Sequence, residues 1–171
     1  MSLLQFVELA DYPQYLPRVA RWYFDQWLSH RSDVSVANVE SNLTPYLNKR
    51  RVPFLLLALD QQTNPAQSLV GAAELKIREM TIYPADTYPA MEYWLGGVYV
   101  KHDIRGRGIA TQLIEQIIAR AATMGIDSLY LQTERLDGGL YAKLGWQAVE
   151  EVYYHDRHVL VMAKAIEFQS E

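Results

Sequence analysis

A mixed α/β fold is what this sequence predicts, and three observations carry the reading. Phe54-Leu55-Leu56-Leu57-Ala58-Leu59 and Leu69 to Ile77 are apolar, strand-like runs separated by turn chemistry around Asn64-Pro65. Tyr93, Trp94, Leu95, Val98, Tyr99 and Val100 then form an aromatic and β-branched run that passes through a basic, glycine-containing turn into a long amphipathic helix. Ser128-Leu129-Tyr130-Leu131-Gln132-Thr133 supplies a strand after that helix, and a strand-turn-helix-strand order argues for locally parallel pairing. No repeat, low-complexity segment or linker divides the 171 residues, so a single domain over 1–171 is expected, with enough chain for a real core.

Taken in order, Leu3 to Leu9 reads as a short edge strand with imperfect alternation. From Tyr15 to His30, Leu16, Val19, Ala20, Tyr23, Phe24, Trp27 and Leu28 mark an apolar helical face whose start is restricted by Pro13 and Pro17. Ser35 to Asn48 is a second helix, with Val36, Val39, Leu43 and Leu47 on one side and Pro45 set to kink or divide it. The two apolar strands follow as a hairpin, Gly71 allowing a bulge or a close approach. Arg78 to Pro89 holds two prolines and no period, which predicts a long loop of the kind that often has a binding role. The main helix shows Ile109, Leu113, Ile117 and Ala121 at helical spacing, widened by Ile114 and Ile118, and Gly125 is placed to end it. Leu140 to Leu144 is a short helical piece between Gly138-Gly139 and Gly145. Trp146 to Tyr153 and Val159 to Ala165 then read as an antiparallel pair joined around His155-Asp156-Arg157.

Composition narrows the function. A formal net charge of -4 argues against a general nucleic-acid surface while leaving room for a small polyanion held by a few local bases. No cysteine is present, which removes disulfides, cysteine metal sites and cysteine nucleophiles. Apolar runs such as Phe54 to Leu59 are too short to cross a bilayer and no N-terminal signal pattern is seen, so no membrane association and a cytoplasmic location are expected.

The chemistry concentrates in Arg105-Gly106-Arg107-Gly108-Ile109-Ala110. The first amides of a helix have no acceptors inside it and the helix dipole reinforces them, so a phosphate or pyrophosphate is the expected ligand. A P-loop is excluded because the lysine and magnesium-binding hydroxyl are missing, and the Gly-x-Gly-x-x-Gly dinucleotide fingerprint is absent.

Val98-Tyr99-Val100, then Arg105-x-x-Gly108-x-Ala110, then Leu129-Tyr130-Leu131, then Leu140-Tyr141-Ala142-Lys143-Leu144-Gly145-Trp146 together resemble the GNAT family of acyl-CoA-dependent N-acyltransferases, usually acetyltransferases. The resemblance is strongest from Glu92 to Val152. It implies a GNAT-like mixed central sheet with flanking helices and a splayed parallel strand pair. It further implies acetyl-CoA as acyl donor, its pyrophosphate on the amides from Arg105 through Gly106, Arg107, Gly108 and Ile109 to Ala110, and its pantetheine arm along the backbone of Val98 and Val100. The amide near Tyr99 would orient the thioester carbonyl, and Thr133 would contact cofactor or acceptor. One departure stands out: many relatives have asparagine and alanine where this chain has Arg135 and Gly138.

Amide formation from a thioester needs a neutral amine, a route for its proton and stabilisation of negative charge on the carbonyl oxygen. By resemblance, Tyr141 is the general acid for the departing thiolate, against the rival reading of a packing tyrosine. Glu92 is the leading general base, 13 residues before Arg105, against a solvated strand end or an acceptor-binding carboxylate. Glu74 is a second carboxylate for base or acceptor binding, and His102 a third base. Tyr83, Tyr88 and Trp94 would enclose an apolar or cationic amine, or serve as core aromatics. The expected acceptor is an amine-bearing small molecule or peptide. The non-enzymatic alternatives are an acyl-CoA-binding regulatory module and a structural interaction domain, and a homodimer is compatible with all of these readings.

Overall fold

The computed structural model describes residues 3–168. Its strands are β1 (Leu4–Glu8), β2 (Phe54–Asp60), β3 (Leu69–Ile77), β4 (Tyr93–Val100), β5 (Ser128–Thr133), β6 (Gln147–Tyr154) and β7 (Arg157–Ala165). The helices are α1 (Leu16–Tyr23), α2 (Val36–Leu43), α3 (Ile109–Thr123) and α4 (Gly139–Lys143). Hydrogen bonding orders the seven strands β1-β2-β3-β4-β5-β7-β6. The sheet is mixed: β4 and β5 are parallel, while β1 with β2, β5 with β7 and β6 with β7 are antiparallel. This is the mixed sheet with flanking helices that the sequence predicts.

Several boundaries differ from expectation for local reasons. The first helix stops being α-helical at Tyr23, and Phe24–Leu28 continues it as a π turn. The second helix ends at Leu43 and Thr44–Tyr46 tightens into a 3-10 turn, because Pro45 cannot donate to the helical ladder. Its start is fixed by a capping box in which Ser35 Oγ accepts from Asn38 N–H while Asn38 Oδ1 accepts from Ser35 N–H.

Contacts resolve the chain into two compact units. The first holds the chain up to Glu74 together with Gly97–Ile114, and the second holds Leu75–Gly96 with the chain from Glu115. In the first unit Val19, Ala20 and Tyr23 of α1 and Val39 and Leu43 of α2 pack with Leu55, Leu57 and Ala72 of the sheet. Ala72 thus faces α1 and α2. Its neighbour Gly71 faces the other way, where an added Cβ would stand 2.9 Å from Leu113 Cδ1 of α3 and 3.0 Å from Tyr99 O. Alternation along a strand produces this two-sided burial, and the close approach explains the glycine.

The second unit is built on β5, β6 and β7. Six residues of β5 register with β7, and β7 also pairs with β6 from Gln147 to Tyr154 with a bulge between Ala148 and Glu150. His155 and Asp156 both have positive φ, 48° and 62°, the conformation a two-residue hairpin turn of matching twist requires. The Arg78 to Pro89 loop is held by its own aromatic core: Met80, Tyr83, Met91 and Trp94 are buried with Val159 and Val161.

Candidate active site

In the first unit β4 leads through a 3-10 turn, His102–Ile104, into Arg105-Gly106-Arg107-Gly108 and then α3. Gly106 and Gly108 both take φ +79°, which side chains with a Cβ rarely adopt, and an added Cβ at either would meet nothing within 4 Å. The backbone here therefore faces open space. Ile109, buried, anchors the loop to the core, Ala110 is half-buried, and Gln112 N–H makes an early helical bond to Gly108 O at 3.1 Å. The amides before Gln112 sit at the positive end of a 15-residue helix, where no intrahelical acceptor is available to them.

Arg105 and Arg107 have different surroundings. The Arg105 guanidinium lies 5.2 Å from the Tyr99 ring centroid, and its Nε–H donates to Val100 O at 2.8 Å. Tyr99 in turn stacks on Trp22 at 4.8 Å and meets Trp27 edge-on at 6.3 Å. The loop is tied back to α1 through these rings. Arg107 is exposed.

A second feature lies in β4 itself. Lys101 N–H donates to Val70 O and Arg78 N–H donates to Glu92 O, both at 2.8 Å. Between those bonds β4 uses nine residue steps where β3 uses eight, so β4 carries one extra residue. Gly97, with φ +55°, marks this β-bulge. Its carbonyl accepts a 2.7 Å hydrogen bond from the Tyr23 hydroxyl. A Cβ at Gly97 would fall 2.5 Å from Tyr23 Oη and 2.8 Å from Glu74 Cδ, so Tyr23, Glu74 and Gly97 converge on one point. Tyr23 and Glu74 are both buried. Burial first, and the nearby Glu74 carboxylate next, push the Tyr23 phenol well above its ordinary range, so it stays a donor.

The second unit positions the other sequence candidates. Tyr141 lies on α4, edge-on to buried Trp146 at 6.1 Å, and burial pushes its phenol up to about 12. Ahead of α4, Arg135 forks onto Asp137 at 2.9 and 3.2 Å, and Asp137 Oδ1 accepts Gly139 N–H at 3.0 Å. Gly138 has φ +82°, and a Cβ there would stand 2.8 Å from Ala142 Cβ and 2.9 Å from Met162 Cε. An alanine does not fit this turn. Thr133 ends β5 and its hydroxyl accepts Arg135 N–H at 3.1 Å, the capping use of a strand-end hydroxyl.

Of the three aromatic acceptor candidates, Trp94 is fully buried and Tyr83 nearly so, stacked at 6.0 Å; Tyr88, edge-on to Tyr83, is the exposed one. Trp94 Nε1–H donates to Met91 O at 2.8 Å and the Tyr83 hydroxyl donates to Glu150, so the polar ends of both buried rings are occupied inside the unit. Glu92 immediately precedes β4 and is half-buried.

The first unit thus brings together Glu74, Val98, Tyr99, Val100 and the Arg105 to Ala110 loop. It adds two residues that sequence reading passed over as site residues: Tyr23 and Gly97. The signal for Gly97 was present, since a glycine pair inside a strand pattern marks a bulge.

Comparison with known proteins places these features in context. A model of the acetyltransferase (GNAT) family matches residues 16–146. An aminoglycoside N(6')-acetyltransferase type 1 from Acinetobacter genomosp. 13 is 29% identical over 96 residues, covering 54% of this chain and 64% of that protein, just under two thirds of its length. Among solved structures, an aminoglycoside 6'-N-acetyltransferase complexed with coenzyme A superposes with a TM-score of 0.68 at 18% identity, over 98% of this chain and 99% of the other. The NatC complex bound to Gag peptide and CoA gives a TM-score of 0.70 at 15% identity, over 98% and 100%. Likeness at such low identity shows the fold.

Proposed function

The chain belongs to the acetyltransferase (GNAT) family, and we propose that it moves the acetyl group of acetyl-CoA directly onto a primary amine. The observation that carries this reading is the open backbone at Gly106 and Gly108 at the head of α3. Two left-handed glycines without neighbours beside the positive end of a long helix fit a pyrophosphate, with the amides of Arg105 to Ala110 as its donors. Arg107, exposed beside them, adds charge. Val98 and Val100 offer backbone to the pantetheine arm. Acetyl-CoA supplies an activated acyl thioester.

The protein's own groups then handle protons and orientation. In the transfer an N–C bond forms, the C–S bond breaks, the amine's proton passes to a base and the departing thiolate takes one from an acid. Tyr141 suits the acid, because a phenol held up to about 12 carries its proton throughout the neutral range. Glu74 suits the base better than Glu92, because it is buried against the β4 bulge at Gly97, two residues from Tyr99. Tyr88 remains the exposed aromatic for acceptor contact. The named Acinetobacter relative acts on an aminoglycoside, and the net charge of -4 suits a cationic acceptor, so aminoglycosides head the list of amines to try, followed by small amines, amino acids and peptide N-termini.

The test is release of free CoA from acetyl-CoA across that amine panel, paired with direct acetyl-CoA binding. Amine-dependent release with a matching acetylated product is expected. The alternative of a non-catalytic acyl-CoA-binding module rests on Arg135 and Gly138, and binding without release by any amine would favour it.

A further inference from the structure

The bulge in β4 raises the question of what holds it. Gly97 O is bonded by Tyr23 Oη at 2.7 Å, and the phenol has one proton to give. Gly97 O and Val98 N–H belong to the same peptide unit. The cis peptide among the described residues is Val52-Pro53, so the Gly97-Val98 peptide is trans, with its carbonyl and N–H pointing in opposite directions. Holding one end of this plane fixes the other. A hydrogen bond to the carbonyl also polarises the N–H of the same amide and strengthens it as a donor.

Tyr23 is itself tightly placed. It is 5% exposed, packs on Trp27 at 5.3 Å, and sits at the junction of α1 with the π turn. Trp22 and Trp27 from the same stretch grip Tyr99. One helical segment therefore fixes β4 on both sides of Val98: Gly97 through a hydroxyl and Tyr99 through two rings.

We propose that Tyr23 is a positioning residue for acyl transfer: its hydroxyl orients and polarises the Gly97-Val98 peptide so that Val98 N–H is the donor to the thioester carbonyl oxygen. This deepens the acetyltransferase reading and rests on it. The donor's direction is set before the acyl group arrives, which is the condition under which a hydrogen bond stabilises developing charge without reorganisation.

The experiment uses the full chain, wild type and Tyr23→Phe, with acetyl-CoA labelled with carbon-13 at the acetyl carbonyl. Y23F is expected to lower kcat roughly 10- to 100-fold, as misorientation of a reacting group does, with CoA affinity and acceptor KM little changed. The bound carbonyl resonance should shift downfield in wild type and lose most of that shift in Y23F. A fold-stabilising role alone would move the melting temperature and leave this shift intact, and an unchanged shift with unchanged kcat overturns the proposal. Should Y23F fail to fold, the wild type decides: the Val98 amide proton must lie further downfield with acetyl-CoA bound than with CoA bound, and a resonance that is the same in the two complexes overturns the assignment. These resonances need no turnover. A protein whose bound-carbonyl shift depends on Tyr23 yet which acetylates no amine keeps the oriented donor and loses the enzymatic reading, whereas one that does not bind acetyl-CoA loses both.

Discussion

The Arg105 guanidinium covers the Tyr99 ring at 5.2 Å while its Nε–H closes on Val100 O at 2.8 Å, so the first residue of the glycine loop is anchored on the strand that precedes it. A cation over an aromatic face and one charge-assisted bond to a carbonyl are both interactions that lysine reproduces poorly. Arg105, though exposed, therefore braces the loop, and Arg107 is exposed beside it. R105A and R105K should both lose about 1 kcal/mol of stability in denaturant titrations and weaken CoA binding. R107A should leave the melting curve unchanged and flatten the salt dependence of CoA binding more than R105A does. Equal salt slopes in the two alanine variants would reject this division of labour.

Tyr141 gives a pH prediction with a definite sign. Burial raises its phenol from 10.0 to about 12, so the folded protein favours the protonated form. The associated stability is fully present below about pH 10 and is lost as pH rises towards about 12. Between those values the wild type should lose more stability than Y141F. In catalysis Y141F should lower kcat by roughly 100-fold or more with acetyl-CoA affinity little changed. An alkaline limb of the wild-type rate profile centred below pH 9 belongs to another group and should persist in Y141F.

Gly138→Ala tests the turn before α4. A side chain at φ +82° is strained and the new Cβ would press on Ala142 and Met162. The expected loss is about 2–4 kcal/mol, read as a lower denaturation midpoint with unchanged slope. An R135A change should cost far less, because the Arg135-Asp137 pair is exposed.

Tyr83→Phe addresses the long loop. The buried Tyr83 hydroxyl donates to Glu150, and burial together with that carboxylate raises the phenol well above its usual range. Y83F keeps the ring stacked on Trp94 and removes only the bond. A loss of about 1–2 kcal/mol is expected, with acyl transfer unaffected. A selective loss of acceptor affinity at unchanged stability would return Tyr83 to the acceptor site.

Much of this architecture is legible in the sequence because its signals are local and periodic. The stripe of Ile109, Leu113, Ile117 and Ala121 needs no tertiary information to be read as a buried helix face, and all four are buried. The apolar run from Phe54 to Leu59 is likewise buried throughout. Tyr23 was harder to read because its role depends on Gly97, 74 residues away in sequence, and a helical tyrosine on an apolar face looks the same whether or not a carbonyl waits for its hydroxyl. Trp94 is ambiguous for the converse reason: an aromatic beside a predicted ligand region suits either contact or core, and only the structure shows it buried with its indole satisfied by Met91 three residues earlier. Glu74 and Glu92 are indistinguishable as isolated carboxylates on strand-like segments, and only the one-residue difference between β3 and β4 shows which of them faces the bulge.

The placement of β7 between β5 and β6 bears on how the chain is made. Of the seven strands, β7 leaves the ribosome last, and it is the partner of both. Until Arg157 to Ala165 has emerged, β5 has no antiparallel neighbour and β6 has no strand at all to pair with. A nascent chain stalled before Arg157 therefore presents unpaired edges on both β5 and β6, the kind of surface that chaperones cover and that aggregates recruit. The turn at His155-Asp156, already shaped for reversal, shortens that interval by folding β7 back onto β6 as soon as it appears.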